Sequence, residues 1–566
     1  MIAQSQDQRA THWPALLPHN LTVPETSLWF NVEVSAQRYP EKPCLVYYDT
    51  PINYSVFRDE AERIAGYLQH ECSVRPGDRV LLYLQNSPQW VIGYYAILRA
   101  NAVVVPVNPM NMTEELAHYV ANSGARVAIA AQDLLPQLLP LHRAHDADAA
   151  LDHVLVGTYS DYLRPDSELQ LPEFLRRPRQ TLDRVGLHAW VDALAAGHVP
   201  GPHTAKPDDL CVMPYTSGTT GHPKGCMHSH RNVQRTAIAS MQWFGSTQDG
   251  TMLAVLPLFH VTGMTGSMNG PIFVGATMVL MSRWDRDIAA TLIGRHRISN
   301  WQAISTMVID FIGHPRLADF DLSSLRSIRG GGSAMPIAVA DKLRALTGID
   351  YVEGYGMSET MAATHVNPPQ RPKLQCLGIP LFNVDARIID PGSFEELPQG
   401  EVGEIVISSP QVMRGYWKDE VANNEAFIEM NGRRYLRTGD LARVDEDGYF
   451  FMVDRLKRVI NASGFKVWPA EVETLMYHHV AIQEVCVVGA IDSRRGETVK
   501  ALVVLKPDYR QCIKEGEIIE WAHKHMAAYK CPRIVEFVDS LPKSGSGKVL
   551  WRQLQDQTNR INERVD

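Results

Sequence analysis

Apolar side chains recur at three- and four-residue spacing through Tyr54, Phe57, Ala61, Ile64, Ala65 and Leu68. That period predicts an amphipathic helix. Pro76-Gly77-Asp78 predicts a turn after it, and the apolar run 80–84 a short strand. Ser87 and Pro88 supply a capping hydroxyl and a first-turn proline, so a second helix is expected to reach Arg99. Runs 103–107 and 126–131 read as further buried strands. Strand–helix–strand alternation of this kind predicts an α/β fold with largely parallel sheets. Residues from about 140 to 205 carry Pro165, Pro172, Pro178 and Pro200 among mixed charges, and are expected to form surface connections and amphipathic helices.

Near residue 455 the pattern changes. Asp454-Arg455-Leu456-Lys457-Arg458 is a dense charge cluster. After it come strand-like runs at 485–488, 501–505 and 534–538, with a helical stretch at 515–526. These predict two domains, 1–454 and 455–566, with a hinge near Lys457. A chain of 566 residues is too long for one core, which agrees.

Composition narrows the class. Hydrophobic residues make up 45% and charged residues 21%, a soluble globular balance, and the net charge of −8 argues against a nucleic-acid partner. The first twenty residues lack the basic start and apolar core of a secretory signal. No run approaches the roughly 18 apolar residues of a membrane span. A cytoplasmic enzyme is expected, with peripheral membrane contact and a homodimer left open. The eight cysteines form no C-x-x-C pair, and neither His228/His230 nor His523/His525 has a partner at metal-site spacing. Neither a disulfide framework nor a nitrogen–sulfur metal site is therefore expected.

The strongest chemical signal is segment 215–225, Tyr-Thr-Ser-Gly-Thr-Thr-Gly-His-Pro-Lys-Gly. Its glycines allow close backbone approach, and its N–H groups, hydroxyls and Lys224 suit phosphate oxygens. It is not a Walker loop: Lys224 follows proline and precedes glycine, where that pattern requires glycine, then lysine, then Ser or Thr. Four further motifs follow in order. Gly330-Gly-Gly-Ser-Ala334 alone reads as a tight turn. In Gly354-Tyr-Gly-Met-Ser-Glu-Thr360 an aromatic suits a base and a carboxylate suits Mg²⁺, although Glu359 alone also reads as a solvated or N-capping group. Tyr435-Leu-Arg-Thr-Gly-Asp-Leu441 leads to a hairpin turn at Asp447-Gly448. Ser544-Gly-Ser-Gly-Lys548 near the C-terminus reads alone as a solvated tail.

Together, and in this order, these motifs resemble the acyl-adenylate-forming superfamily of acyl-CoA synthetases, firefly luciferases and adenylation domains, over roughly residues 30–555. The chain looks most like the medium- and long-chain fatty acid–CoA ligases. The resemblance implies a large N-terminal domain of mainly parallel sheets with helices and a β-barrel-like part, followed by a small mobile α+β domain. It implies ATP, Mg²⁺ and coenzyme A as cofactor and co-substrates. It places Thr216, Ser217, Gly218, Thr219, Thr220, Gly221 and Lys224 around phosphate, and Gly332, Ser333, Ala334, Tyr355, Gly356, Met357 and Ser358 around the nucleotide. Thr216 and Glu359 become metal ligands, and Asp440 and Arg455 hold the ribose or a phosphate. Lys548 becomes the catalytic lysine of adenylation, Lys457 the hinge, and Gly464 the lining of a pantetheine passage. Serine at 358 replaces the family's usual threonine and keeps the hydroxyl. Asn461 stands where many relatives carry lysine or another polar residue.

Segment 257–263, Pro-Leu-Phe-His-Val-Thr-Gly, would border the acyl pocket, with His260 gating or lining it. The aspartate that amino-acid-activating relatives place near here is missing. Met264, Met268, Met278 and Met281, with Gly263, Gly266 and Gly270, suit an extended acyl chain and equally an ordinary core. A medium- or long-chain fatty acid is expected. The alternatives are an aryl or branched acid, or an acyl-AMP ligase that delivers to a carrier protein.

Overall fold

The computed structural model describes residues 12–143, 150–216, 223–462, 465–492, 496–510, 512–543 and 549–562. The chain forms two compact units. The first comprises 1–385 and 408–436; the second comprises 386–407 and 437–566.

Two sheets organise the first unit. Among the described residues one sheet has nine strands, whose central members run in the order Tyr351–Met357, Ser327–Gly331, Asn300–Gln302, Thr251–Ala254, Thr277–Leu280 and Pro43–Tyr47, all parallel. The other has seven, with Leu210–Val212, Val103–Pro106, Arg79–Tyr83, Val127–Ala131, His153–Gly157 and Leu187–Ala189 parallel in that order. Val103–Pro106 and Val127–Ala131 are apolar and buried along their whole length, as parallel strands covered on both faces tend to be. Helix Tyr54–His70 buries Tyr54, Phe57, Ala61, Ile64, Ala65 and Leu68, the stripe that the sequence period predicts. Helix Pro88–Arg99 opens as expected, with Ser87 Oγ accepting from Trp90 N at 3.2 Å.

Region 140–205 is more ordered than its prolines suggest. His153–Gly157 and Leu187–Ala189 complete one side of the seven-stranded sheet, and Trp190 is fully buried at the start of helix Trp190–Ala196. The apolar runs between the prolines decide the structure there. The Gly/Met stretch is also core. Gly263–Asn269 forms a π-helix against helix His230–Trp243, and Met264, Met268, Met278 and Met281 are all buried. A Cβ at Gly266 would lie 2.4 Å from the Gln302 side chain, and one at Gly270 would lie 2.6 Å from Met241, so these glycines serve close packing.

In the second unit, Phe450–Arg455 pairs antiparallel with the second half of Arg433–Val444. A further sheet carries Phe465–Val467, Ile460–Ala462, Gly496–Leu505 and Ile482–Asp492 in that order, with Ile534–Phe537 parallel to Gly496–Leu505. Helices Pro469–Met476 and Glu515–His525 contribute Val472, Met476, Ile518 and Ala522 to buried positions. No helix among the described residues is long and apolar enough to cross a membrane.

Candidate active site

In the first unit the candidate phosphate loop is framed by a two-stranded ribbon. Thr216 pairs with Lys224, and Tyr215 with Gly225. Ser217, Gly218, Thr219, Thr220 and Gly221 lie outside the described residues. The ribbon is braced from behind: Tyr215 Oη donates to Asn122 Oδ1 at 2.6 Å, and Trp417 N donates to Gly225 O at 2.8 Å.

Lys224 Nζ stands 3.4 Å from Asp419 Oδ2 and 5.4 Å from the centre of the Tyr416 ring. The Asp419 carboxylate also caps helix Glu420–Ala426, accepting from Ala422 N at 2.9 Å. A helix cap ties this carboxylate to the backbone, so the lysine faces a fixed counter-charge. A cavity of about 420 Å³ opens beside Lys224, lined also by His118, Asn122, Trp417, Asp419 and Glu425.

Tyr416 reaches the second key group as well. Its hydroxyl donates to Glu359 Oε1 at 2.7 Å. Burial, then the Glu359 charge, push the phenol far above its ordinary value, so Tyr416 stays a neutral donor. Glu359 is 5% exposed, and its backbone carbonyl accepts from Met413 N. Beside it His228 Nε2 lies 2.7 Å from Ser358 O, and burial pushes that imidazole down to about 4. A carbonyl only accepts, so the neutral ring carries its proton on Nε2.

The nucleotide-side motifs follow on adjacent strands. Gly330 and Gly331 end strand Ser327–Gly331 and Gly332 turns with φ +86°, so the turn begins later than the sequence suggests. Ser333 Oγ meets Ser305 Oγ at 2.9 Å, and Gly332, Ser333 and Ala334 are exposed. Glu353 holds this loop from below, accepting from Met335 N at 2.7 Å and from Gln375 N at 2.6 Å. Burial pushes its carboxyl up to about 7. Tyr355 meets the His365 ring edge-on at 5.7 Å. Gly356 has no alternative: a Cβ there would lie 1.9 Å from Ala362 O. Met357 N donates to Thr360 Oγ1 at 3.0 Å.

In the second unit the Arg-Thr-Gly-Asp segment lies within a long strand and is held by one buried carboxylate. Glu404 accepts from Arg437 Nη2 at 2.7 Å and from Gly439 N at 3.0 Å. Thr438 Oγ1 donates to Ile405 O and accepts from Asp440 N. Asp440, 1% exposed, pairs with Arg455 Nε at 2.9 Å on the neighbouring strand. Either side of Lys457, Asp454 accepts from Ala470 N and Arg455 N, and Arg458 pairs with Glu473. The side chain of Lys457, and Gly464 and Lys548 entirely, lie outside the described residues. His260 is exposed, just ahead of the π-helix, with Met264 N donating to its carbonyl at 3.0 Å.

Sequence reasoning missed Tyr416, Asp419, Glu353 and Glu404. Their signal is faint: each is a common residue whose partner lies far along the chain. The Tyr416-Trp417-Lys418-Asp419 run, an aromatic pair followed by an acid before a helix, was the one readable hint.

Fold and site define a two-unit α/β protein in which a strand ribbon frames a glycine-rich loop beside a lysine and a buried carboxylate. The chain belongs to the AMP-binding enzyme family: the model for that enzyme matches residues 32–417, and the model for its C-terminal domain matches 471–548. It is 33% identical over 564 residues to a long-chain-fatty-acid–CoA ligase of Bacillus subtilis (strain 168), covering 98% of each chain. It is 33% identical over 517 residues to a feruloyl-CoA synthase of Amycolatopsis sp, covering 91% of this chain and 96% of that one. Among solved structures, ATP-bound MatB from Rhodopseudomonas palustris superimposes with TM-score 0.82 at 25% identity, over 95% of this chain and all of that one.

Proposed function

We propose that this protein is an AMP-forming acid–CoA ligase that activates a medium- or long-chain fatty acid as acyl-AMP and passes it to coenzyme A. The observation that carries this reading is the convergence of Lys224 and Glu359 on Tyr416 beside the loop ribbon, in a chain alignable almost end to end with a fatty acid–CoA ligase.

In the first half-reaction a substrate carboxylate oxygen attacks the α-phosphorus of ATP; a P–O bond forms and pyrophosphate leaves. Two anions must approach, so the site has to supply positive charge and alignment. Lys224 and Lys548 supply that charge, and the loop 216–221 supplies N–H and hydroxyl donors. Gly332, Ser333, Ala334 and Tyr355 receive the adenine, Gly356, Met357 and Ser358 line the phosphate side, and Asp440 with Arg455 receives the ribose. Glu359 and Thr216 offer oxygen ligands only, a donor set that fits Mg²⁺. When bound there, Mg²⁺ neutralises charge on the phosphates. In the second half-reaction the coenzyme A thiolate attacks the acyl carbon and AMP leaves. For this step segment 455–566 swings about Lys457 relative to 1–454, and Gly464 keeps the pantetheine passage open. His260 borders the acyl entrance. Use of ATP and coenzyme A supports a cytoplasmic location for this reading.

An aryl acid is the second reading, favoured by the equal identity to the feruloyl-CoA synthase. AMP release measured across fatty and aryl acids, with and without coenzyme A, tests both. Acyl-CoA formed best from fatty acids is expected. A preference for aryl acids moves the substrate, acyl-AMP without thioester moves the acceptor to a carrier protein, and no acid-dependent AMP release sinks the proposal.

A further inference from the structure

Away from this site, three side chains from separate segments of the first unit meet just beyond the C-terminal end of helix Tyr54–His70. Cys72 follows the helix, His153 opens strand His153–Gly157, and His188 sits at the middle of the adjacent parallel strand Leu187–Ala189. One ligand atom from each lies within 4.8 Å of the others. The closest pair is His153 Nδ1 and His188 Nε2 at 2.9 Å, and the other nitrogen of His188 lies 2.9 Å from Tyr67 Oη. Cys72 is buried, and the two histidines are half-buried.

We propose that Cys72, His153 and His188 form a metal-binding site for a borderline-soft divalent ion, Zn²⁺ being the best fit. One thiol and two imidazoles are the donor types that this ion selects, and three protein ligands leave a fourth position for water. The spacing of the two imidazole nitrogens is close to what a tetrahedral ion requires. Zn–N bonds of about 2.0–2.1 Å in a tetrahedron set the two nitrogens about 3.3 Å apart. The imidazoles would therefore part by about 0.4 Å, giving up the single proton they now share. His188 would then carry its remaining proton on Nδ1 and donate it to Tyr67, the outer hydrogen bond that a metal-bound histidine usually keeps.

Burial lowers both imidazoles, which leaves them neutral and able to ligate. Burial, with Glu71, pushes the Cys72 thiol up to about 12. Binding therefore exchanges the thiol proton for the ion, and one proton is released per sulfur bound. Around the cluster Glu71, which pairs with His198 at 3.1 Å, and Asp152, which pairs with Arg126, favour a cation, while Arg143 opposes it. The site would act as a clip: it joins the end of a central helix to the last two strands of the sheet, in the region whose sequence looked least ordered. The spacing 72, 153, 188 hides it from any sequence motif.

The full chain, stripped of metal and titrated with Co²⁺, tests the inference. One equivalent should give a thiolate-to-cobalt charge-transfer band with tetrahedral ligand-field absorption. The band should vanish in Cys72→Ser and the ligand-field intensity should fall in His188→Gln. Tyr67→Phe should bind about tenfold more weakly. Zn²⁺ should raise the melting temperature of the unaltered protein and not that of Cys72→Ser. Absence of a thiolate band, or its persistence in Cys72→Ser through another thiol such as the exposed Cys512, overturns the proposal. Should Cys72→Ser fail to fold, His188→Gln decides: an unchanged spectrum there overturns it equally.

Discussion

Each unit of this protein is built around a buried carboxylate at its candidate functional motif, and the two are paired differently. Glu359 in the first unit accepts a hydrogen bond from the neutral Tyr416 hydroxyl. Asp440 in the second is ion-paired to Arg455. A neutral donor orients a carboxylate and leaves its charge available to an arriving cation. A guanidinium offsets the charge and leaves acceptor oxygens suited to uncharged hydroxyls. The same functional group is thereby prepared for two ligands, in line with the proposed roles at Mg²⁺ and at the ribose.

The largest effect should come from removing charge at Glu359. Glu359→Gln is expected to lower acid-dependent ATP–pyrophosphate exchange by about 10²–10³, partly recovered at high Mg²⁺. Asp440→Asn should instead raise the KM for ATP about tenfold with kcat nearly kept, since neutral hydrogen bonds replace charge-assisted ones. Equal losses of kcat in both variants would break the comparison.

Next in size is acid sensitivity of the first unit. His228 and His230 are neutral in the fold, pushed down by burial to about 4 and about 3. Unfolded, they take up protons near pH 6.5. Their support is thus complete above pH 6.5 and is lost as pH falls toward 4. By pH 5 the loss is on the order of 2 kcal/mol for each. Thermal unfolding between pH 7 and 5 reads this directly, and a flat profile would contradict it.

A third test asks what a buried charge does with no partner. The guanidinium of Arg329 is 2% exposed, its three nitrogens have no hydrogen-bond partner among the described residues, and it lies 3.9 Å over the Phe244 ring. Burial lowers it to about 9, so it remains charged at neutral pH. Arg329→Met should raise stability by about 1–2 kcal/mol, because an unpaired buried ion gives way to an apolar side chain of similar length. A lower melting temperature would mean that the cation–π contact outweighs desolvation. The smallest effect is expected from Tyr416→Phe, which removes one donor from Glu359 and should cost about fivefold in exchange activity, equivalent to roughly 1 kcal/mol. A loss as large as that of Glu359→Gln would make the tyrosine part of the chemistry.

Much of the architecture was readable along the chain. Helix Tyr54–His70 and the capped start of helix Pro88–Arg99 followed from periodicity and from one Ser-Pro pair, because those signals are local. The Gly/Met stretch, whose composition suits an acyl chain and equally an ordinary core, packs as buried core around a π-helix. Region 140–205 misled, its prolines hiding two strands that finish a sheet.

What the sequence determined by itself were the groups whose chemistry depends on near neighbours: the loop of 215–225, the order of the motifs, and the periodic faces of the helices. Only the tertiary structure decided which partner each charge would have. Tyr416 meets both Lys224 and Glu359, Glu404 grips the strand that carries Asp440, and Cys72 meets two histidines, in each case across long stretches of chain. Such contacts are set by how sheets and helices pack, and a side chain's identity carries no record of what will be folded against it.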